Sequence, residues 1–265
     1  MLMAGTNRML RILKLFDLAR PVITPEWLMT ELGVSRASVY RDLSQLTSVG
    51  LLERVAERGY VLGPMVVELD RQIRLADPLL EAAQDVLGRL AEDTGGAVLL
   101  CRFHANQVMC IHQATPVKGL IPSLAVSYER GRAMPLYRGA TSKIILACLP
   151  QAQLKQLLAS DGASMVAAGL PGNLTELGPL LREMREAGYC ISTGEVDPDA
   201  VGFAVALRDG EHLLGSLSIV MPAASMTAGL RKTTLSRLQS AAGRVEGRLQ
   251  DQRMKARATK KMETS

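Results

Sequence analysis

Ser35, Arg36, Ser38, Tyr40 and Arg41 place two cations, two hydroxyls and a phenol within seven residues. Arginine reads guanine bidentately in the DNA major groove, and serine bonds base edges or phosphates. These side chains at this spacing suit a helix presented to a duplex. A sixth candidate, Arg58, stands in Glu57-Arg58-Gly59 at the tip of an expected hairpin, within reach of a neighbouring phosphate.

Gly139-Ala140-Thr141-Ser142 offers different chemistry. The run opens an expected helix, where backbone N–H groups lack intrahelical partners and the dipole favours negative charge. Small side chains let an anion approach, so the stretch is a candidate seat for a carboxylate. Cys101, His104, Cys110 and His112 form a third group within one expected hairpin. Strand alternation puts Cys101, Cys110 and His112 on one face and His104 on the other. That supplies at most three metal ligands, at a spacing unlike common zinc motifs. No metal or cofactor is expected, and the cysteines read first as buried small hydrophobes. No GxxxxGK[ST] or GxSxG run is present, and no motif fixes a cysteine nucleophile beside His112 or Glu195, so no catalytic residue is assigned.

The first group needs a scaffold, and the surrounding pattern supplies one. Thr24 is the expected N-cap of a helix with Pro25 at its first position. Gly33 permits a turn, and Ser35 caps the next helix. In that helix Val39, Leu43 and Leu46 share the core face, opposite Ala37, Tyr40, Arg41, Ser44, Gln45 and Ser48. Strands at 51–55 and 59–62 follow, and a preceding helix carries Met9, Ile12, Leu13 and Phe16 on one side. Together these make a winged helix-turn-helix over 7–63, whose partner is double-stranded DNA. A linker helix over 64–76 has an apolar stripe of Val66, Leu69, Ile73 and Ala76, which a second subunit would bury.

Beyond it, a helix runs to about Thr94, and strands are expected over 97–104, 107–114 and 124–128. A turn-rich stretch, 131–138, leads to a helix over 140–149. A short helix over 151–159 follows, then a long one from Asn173 to the Gly188 stop. Strands at 189–194, 200–208 and 213–221 and a final helix over 226–250 complete an α+β domain covering 77–250. Residues 1–6 and the basic stretch 251–265 read as disordered.

The 265 residues are 48% hydrophobic but only 3% aromatic, with net charge +5. This is enough chain for two domains with aliphatic cores. No apolar run approaches the ~18 residues of a membrane span. No cleavable leader is visible, so a cytoplasmic protein with reduced cysteines is expected.

Three blocks in order carry a resemblance: SRASVYRDLSQLTSVGLLER with GYVLGP, GRAMPLYRGATSKIILACLP, and EAGYCISTGEVDPDAVGFAVALRDGEHLLGSLSIVMPA. Over about residues 6–250 the chain resembles the IclR family of bacterial transcriptional regulators. The resemblance implies a C-terminal sensing domain of GAF-like fold. It also implies a homodimer or dimer of dimers on a palindromic operator, repression, and a small organic-acid or aromatic effector. It carries the effector site to Gly139, Ala140, Ser192 or Glu195, Val201, Ser218 and Val220, with Leu124 and Phe203 as wall residues. Val201 and Val220 are apolar where the best-known member is polar, which points to an effector with a carboxylate and an apolar or aromatic body. The alternatives are a metabolite sensor acting through a protein partner, or a redox or metal sensor built on Cys101 and Cys110.

Overall fold

The computed structural model describes residues 2–56, 59–117 and 127–263, with side chains over 8–258 of these. Arg58 and Leu124 lie outside the described residues, as does most of the strand expected at 124–128. The chain divides into two compact units, Met1–Asp77 and Pro78–Ser265.

In the first unit, α1 (Leu2–Leu13), α2 (Pro25–Leu32) and α3 (Arg36–Ser48) precede a hairpin of β1 (Leu52–Val55) and β2 (Gly59–Leu62). Both N-caps expected from sequence are made. Thr24 Oγ1 accepts from Trp27 N at 3.2 Å, and Ser35 Oγ accepts from Ser38 N at 3.4 Å. Gly33 ends α2 in the left-handed region (φ 62°) and so turns the chain into α3. Tyr60 exchanges two 2.9 Å backbone hydrogen bonds with Ile23, tying the wing to the chain before α2. Gly59 makes this approach possible, because a Cβ there would stand 2.5 Å from the Ile23 carbonyl. Ile12, Ile23, Leu28, Val39, Leu43, Leu46, Leu52 and Tyr60 form the core. The helix α4 (Met65–Ala76) buries none of its residues and leaves Val66, Val67, Leu69, Ile73 and Leu75 exposed.

The second unit is a six-stranded antiparallel sheet between helices. Its elements are α5 (Pro78–Thr94), β3 (Ala97–His104), β4 (Gln107–Ala114), β5 (Ala133–Pro135), α6 (Ala140–Ala147), α7 (Gln151–Ala167), α8 (Leu174–Ala187), β6 (Cys190–Thr193), β7 (Ala200–Asp209), β8 (His212–Pro222) and α9 (Ala228–Glu263). The strand order is β5-β4-β3-β8-β7-β6. Alternation sends Val98, Leu100, Val201, Phe203, Val205, Leu217 and Ile219 to the core shared with α5 and α9. Leu99, Cys101, Cys110, Ala204 and Val220 face the core shared with α6, α7 and α8. Asn173 accepts from Glu176 N at 3.0 Å to start α8, and Gly188 ends it with φ 74°.

Four expectations need correction. The chain is helical from Leu2, where disorder was expected. The helix at 151 continues to Ala167. A three-residue edge strand, β5, lies in the stretch read as turn; three residues are too few to show an alternating pattern. The basic stretch after 250 is no disordered tail. It continues α9 to Glu263, and Arg253 pairs with Asp209 on the end of β7. Lys, Arg, Ala, Met and Glu are all good helix formers, so this stretch loses little by staying helical.

Candidate DNA interface and effector cavity

Positions along α3 sort its side chains. Val39, Leu43 and Leu46 are buried, while Arg36, Ala37, Tyr40, Arg41, Ser44, Gln45 and Ser48 are exposed. The Arg36 guanidinium lies over the Tyr40 ring, 5.4 Å from its centre, so the two form one cationic, aromatic surface. Arg41 stands beside them. Ser35 and Ser38 hydrogen-bond each other at 3.1 Å at the helix start, where Ser35 is also the cap.

Sequence reading missed what fixes this helix. Asp42 is 2% exposed, and the Arg8 guanidinium grips it through Nε (2.5 Å) and Nη2 (3.1 Å). The carboxylate raises the pKa of Arg8 through this hydrogen bond, against some desolvation. The pair joins α1 to the buried side of α3 across 34 residues, a separation that no local pattern signals.

In the second unit a cavity lies at the start of α6, lined by Tyr128, Gly139, Ala140, Thr141, Ser192, Glu195, Asp197, Ala200, Gly202 and Val220, among others. It has about 310 Å³ of empty space, open solvent at the mouth included, of which about 30 Å³ admits a water-sized sphere. That is room for roughly two waters. The backbone N–H groups that open α6 are taken by the chain's own side chains. Gly139 N donates to Glu195 Oε2 at 3.0 Å, and Ala140 N donates to Ser192 Oγ at 2.8 Å. Lys143, one turn into α6, holds the other carboxylate oxygen at 2.5 Å. The Glu195 carboxylate thus sits between the N-terminal end of α6 and the Lys143 ammonium. Arg138 Nε also donates to the Glu195 carbonyl at 2.6 Å.

The other residues expected at the site divide. Val220 lines the cavity, but Ser142, Ser218 and Val201 do not. Tyr128 donates to the Arg138 carbonyl at 2.8 Å, so Ser142 Oγ, 2.7 Å away, is the donor to the phenol oxygen. Burial pushes the Tyr128 phenol up, which keeps it protonated. Ser218 lies beneath Thr141, whose hydroxyl donates to it at 2.9 Å, and Ser216 donates to the Thr141 carbonyl at 3.0 Å. Val201 and Phe203 face α5 and α9. The reason is a one-residue register slip. Asp209 pairs with His212 and Arg208 with Leu213, but Leu207 then pairs with Gly215. Leu214 is the extra residue of a bulge, so Gly202, not Val201, stands opposite Val220. Asp197, also unforeseen, anchors Ser127 beside the cavity by accepting from its backbone N (3.1 Å) and its hydroxyl.

A second bulge corrects the hairpin. Cys101 pairs with Cys110 as expected, but Leu100 pairs with His112, leaving Ile111 over. His112 therefore shares the face of Leu100, opposite to the one expected. Among the described residues, no group of three or more His, Cys, Asp or Glu side chains is placed to hold a metal ion.

A winged helix with a polar, cationic recognition face, joined in one chain to a sheet domain with a walled cavity, defines a helix-turn-helix transcriptional regulator. A family model described as bacterial transcriptional regulator IclR C-terminal matches residues 76–246, and an HTH-domain model matches 8–61. The chain belongs to the IclR family of bacterial transcriptional regulators. It is 26% identical over 189 residues to the regulator KipR of Bacillus subtilis, covering 70% of this chain and 72% of that one. It is 25% identical over 226 residues to the probable regulator SauR of Cupriavidus necator, covering 84% and 88%. Its fold matches a putative IclR-type regulator from Silicibacter (TM-score 0.76, 24% identity, 92% and 96% coverage). It also matches an IclR homologue from Microbacterium hydrocarbonoxydans solved with 4-hydroxybenzoate (TM-score 0.75, 20% identity, 93% and 99% coverage). The family's members are transcriptional regulators, not enzymes, and no described helix is long and apolar enough to cross a membrane.

Proposed function

We propose that this chain is a sequence-specific, effector-responsive repressor acting in the cytoplasm on a palindromic operator. A homodimer, or a pair of dimers, would present two copies of α3 to successive major grooves. The exposed apolar residues of α4 support that reading, since a second copy would cover Val66, Leu69 and Ile73. The effector is a small acid with an apolar or aromatic body, of the kind that the Microbacterium homologue was solved with.

One observation carries the sensing reading: Glu195 places a carboxylate on the N–H groups that open α6, beside Lys143. An effector carboxylate takes this seat by displacing Glu195, and the space that the cavity lacks opens as the side chain swings out. The apolar end of the effector then lies against Ala200, Gly202 and Val220. Glu195 moves with the chain that leads into β7, which gives the ligand a lever on the sheet. Binding shifts a pre-existing equilibrium between operator-competent and operator-released forms.

Isothermal titration with 4-hydroxybenzoate, benzoate and small polar oxoacids tests this. The aromatic acids are expected to bind. Binding by the oxoacids alone would contradict the apolar end of the site. Glu195→Ala should bind the aromatic acids about fivefold more tightly, because releasing a part-buried charged hydrogen bond costs on the order of 1 kcal/mol. Weaker binding by this variant would mean that Glu195 holds the ligand instead of competing with it.

A further inference from the structure

Neither the DNA face nor the cavity uses Cys101 and Cys110. The strands carrying them meet at a two-residue turn, Ala105 and Asn106, both at positive φ (48° and 60°). His104 and Gln107 are thus the hydrogen-bonded pair closing the hairpin. Hydrogen-bonded and non-hydrogen-bonded pairs alternate away from the turn, which makes Cys101–Cys110 a non-hydrogen-bonded pair. Opposed Cα atoms in such a pair lie about 4.5 Å apart, inside the ~4.4–6.8 Å that a disulfide spans. The register slips only at the next residue, so the bulge leaves this pair intact. Both side chains enter the same core and are fully buried, so the oxidant that reaches them is a small one admitted when the hairpin opens locally.

We propose that Cys101 and Cys110 are a redox modification site that closes to a disulfide on reaction with a hydroperoxide. Cys110 is the attacking thiol: the Cys101 hydrogen bond lowers its pKa, as do the His112 backbone and Arg130, against the effect of burial. Cys101 is the resolving thiol, which burial keeps protonated. Cys110 sulfur attacks one peroxide oxygen and the O–O bond breaks. Cys110 becomes a sulfenic acid, and the other oxygen leaves as water or alcohol carrying the thiol proton. Cys101 sulfur then attacks the sulfenic sulfur, the S–S bond forms, and water leaves with the second thiol proton. Two electrons pass from the thiol pair to the peroxide.

Backbone pairing and hydrogen bonds connect the two cysteines to elements that line the cavity. Cys101 stands opposite Ser216, which bonds the Thr141 carbonyl. The Cys110 carbonyl accepts from Gly131 N at 2.9 Å, holding the segment that carries Tyr128.

The full chain with Cys148→Ser and Cys190→Ser keeps only this pair. Treated with hydrogen peroxide and then denatured, it should lose both titratable thiols, lose the mass of two hydrogens, and yield one peptide joined through Cys101 and Cys110. Dithiothreitol should restore both thiols. Adding Cys101→Ala should leave Cys110 to oxidise onward to a sulfinic acid with no cross-link. If that variant does not fold, the pair-only protein still decides the matter. Two thiols surviving a peroxide dose that oxidises glutathione would overturn the proposal, as would sulfinic acid or a cross-link between chains in place of the internal disulfide.

Discussion

Replacing Arg41 with alanine should weaken operator binding by about 1–3 kcal/mol, roughly 5- to 150-fold. Arg41 projects from the exposed side of α3, opposite Val39, Leu43 and Leu46, which bury the helix against its own unit. No described ion pair or hydrogen bond engages its side chain, so the substitution changes the surface and leaves the packing alone. Arg36 differs, because it is already stacked on Tyr40 and is held for contact at the helix start. Fluorescence anisotropy on the operator and on a scrambled duplex, at matched salt, separates two roles. If Arg41 reads a base, affinity falls on the operator only. If it touches a phosphate, affinity falls equally on both duplexes and the salt slope drops by about one. Operator affinity equal to that of the unsubstituted protein would remove Arg41 from the interface.

Asp42→Ala should destabilise the winged-helix unit by about 2–4 kcal/mol. The carboxylate is buried and takes both arms of Arg8, so the substitution leaves a part-buried guanidinium unpaired. Trp27 is the only tryptophan in the chain and belongs to this unit, so its fluorescence follows the unit's unfolding selectively. Urea titration should show the Trp27 transition at lower denaturant with an unchanged slope. Arg8→Met combined with Asp42→Leu should recover most of the loss, since a well-packed apolar pair matches or exceeds a buried ion pair. A single Asp42→Ala transition within error of the unsubstituted protein would mean that the pair adds nothing to the fold.

These two residues mark where sequence reading succeeds and where it stops. Arg41 was legible because a cap, a turn glycine and a 3.6-residue period placed it on the outer face of a helix. Thr24, Ser35, Asn173 and Gly188 were legible for the same reason: each acts within four residues of itself. The Arg8–Asp42 pair joins residues 34 apart, and Glu195 meets α6 across more than 50. Nothing local distinguishes either carboxylate from a solvated one. The bulges explain the remaining errors. Leu214 and Ile111 each shift a register by one, which exchanges Val201 for Gly202 in the cavity and turns His112 away from the cysteines. Alternation placed the cysteines and histidines and the family resemblance placed Val201, and in both hairpins the phase depends on an insertion that no residue type announces.

Selection of bound genomic fragments by the purified full chain, with footprinting of the selected fragments at physiological salt, shows whether α3 reads a specific sequence. The expected result is a discrete, palindromic protected site, its half-sites about one helical turn or a multiple of it apart. Protection that is diffuse, independent of sequence and lost steeply with salt would contradict it, because phosphate contact alone behaves that way.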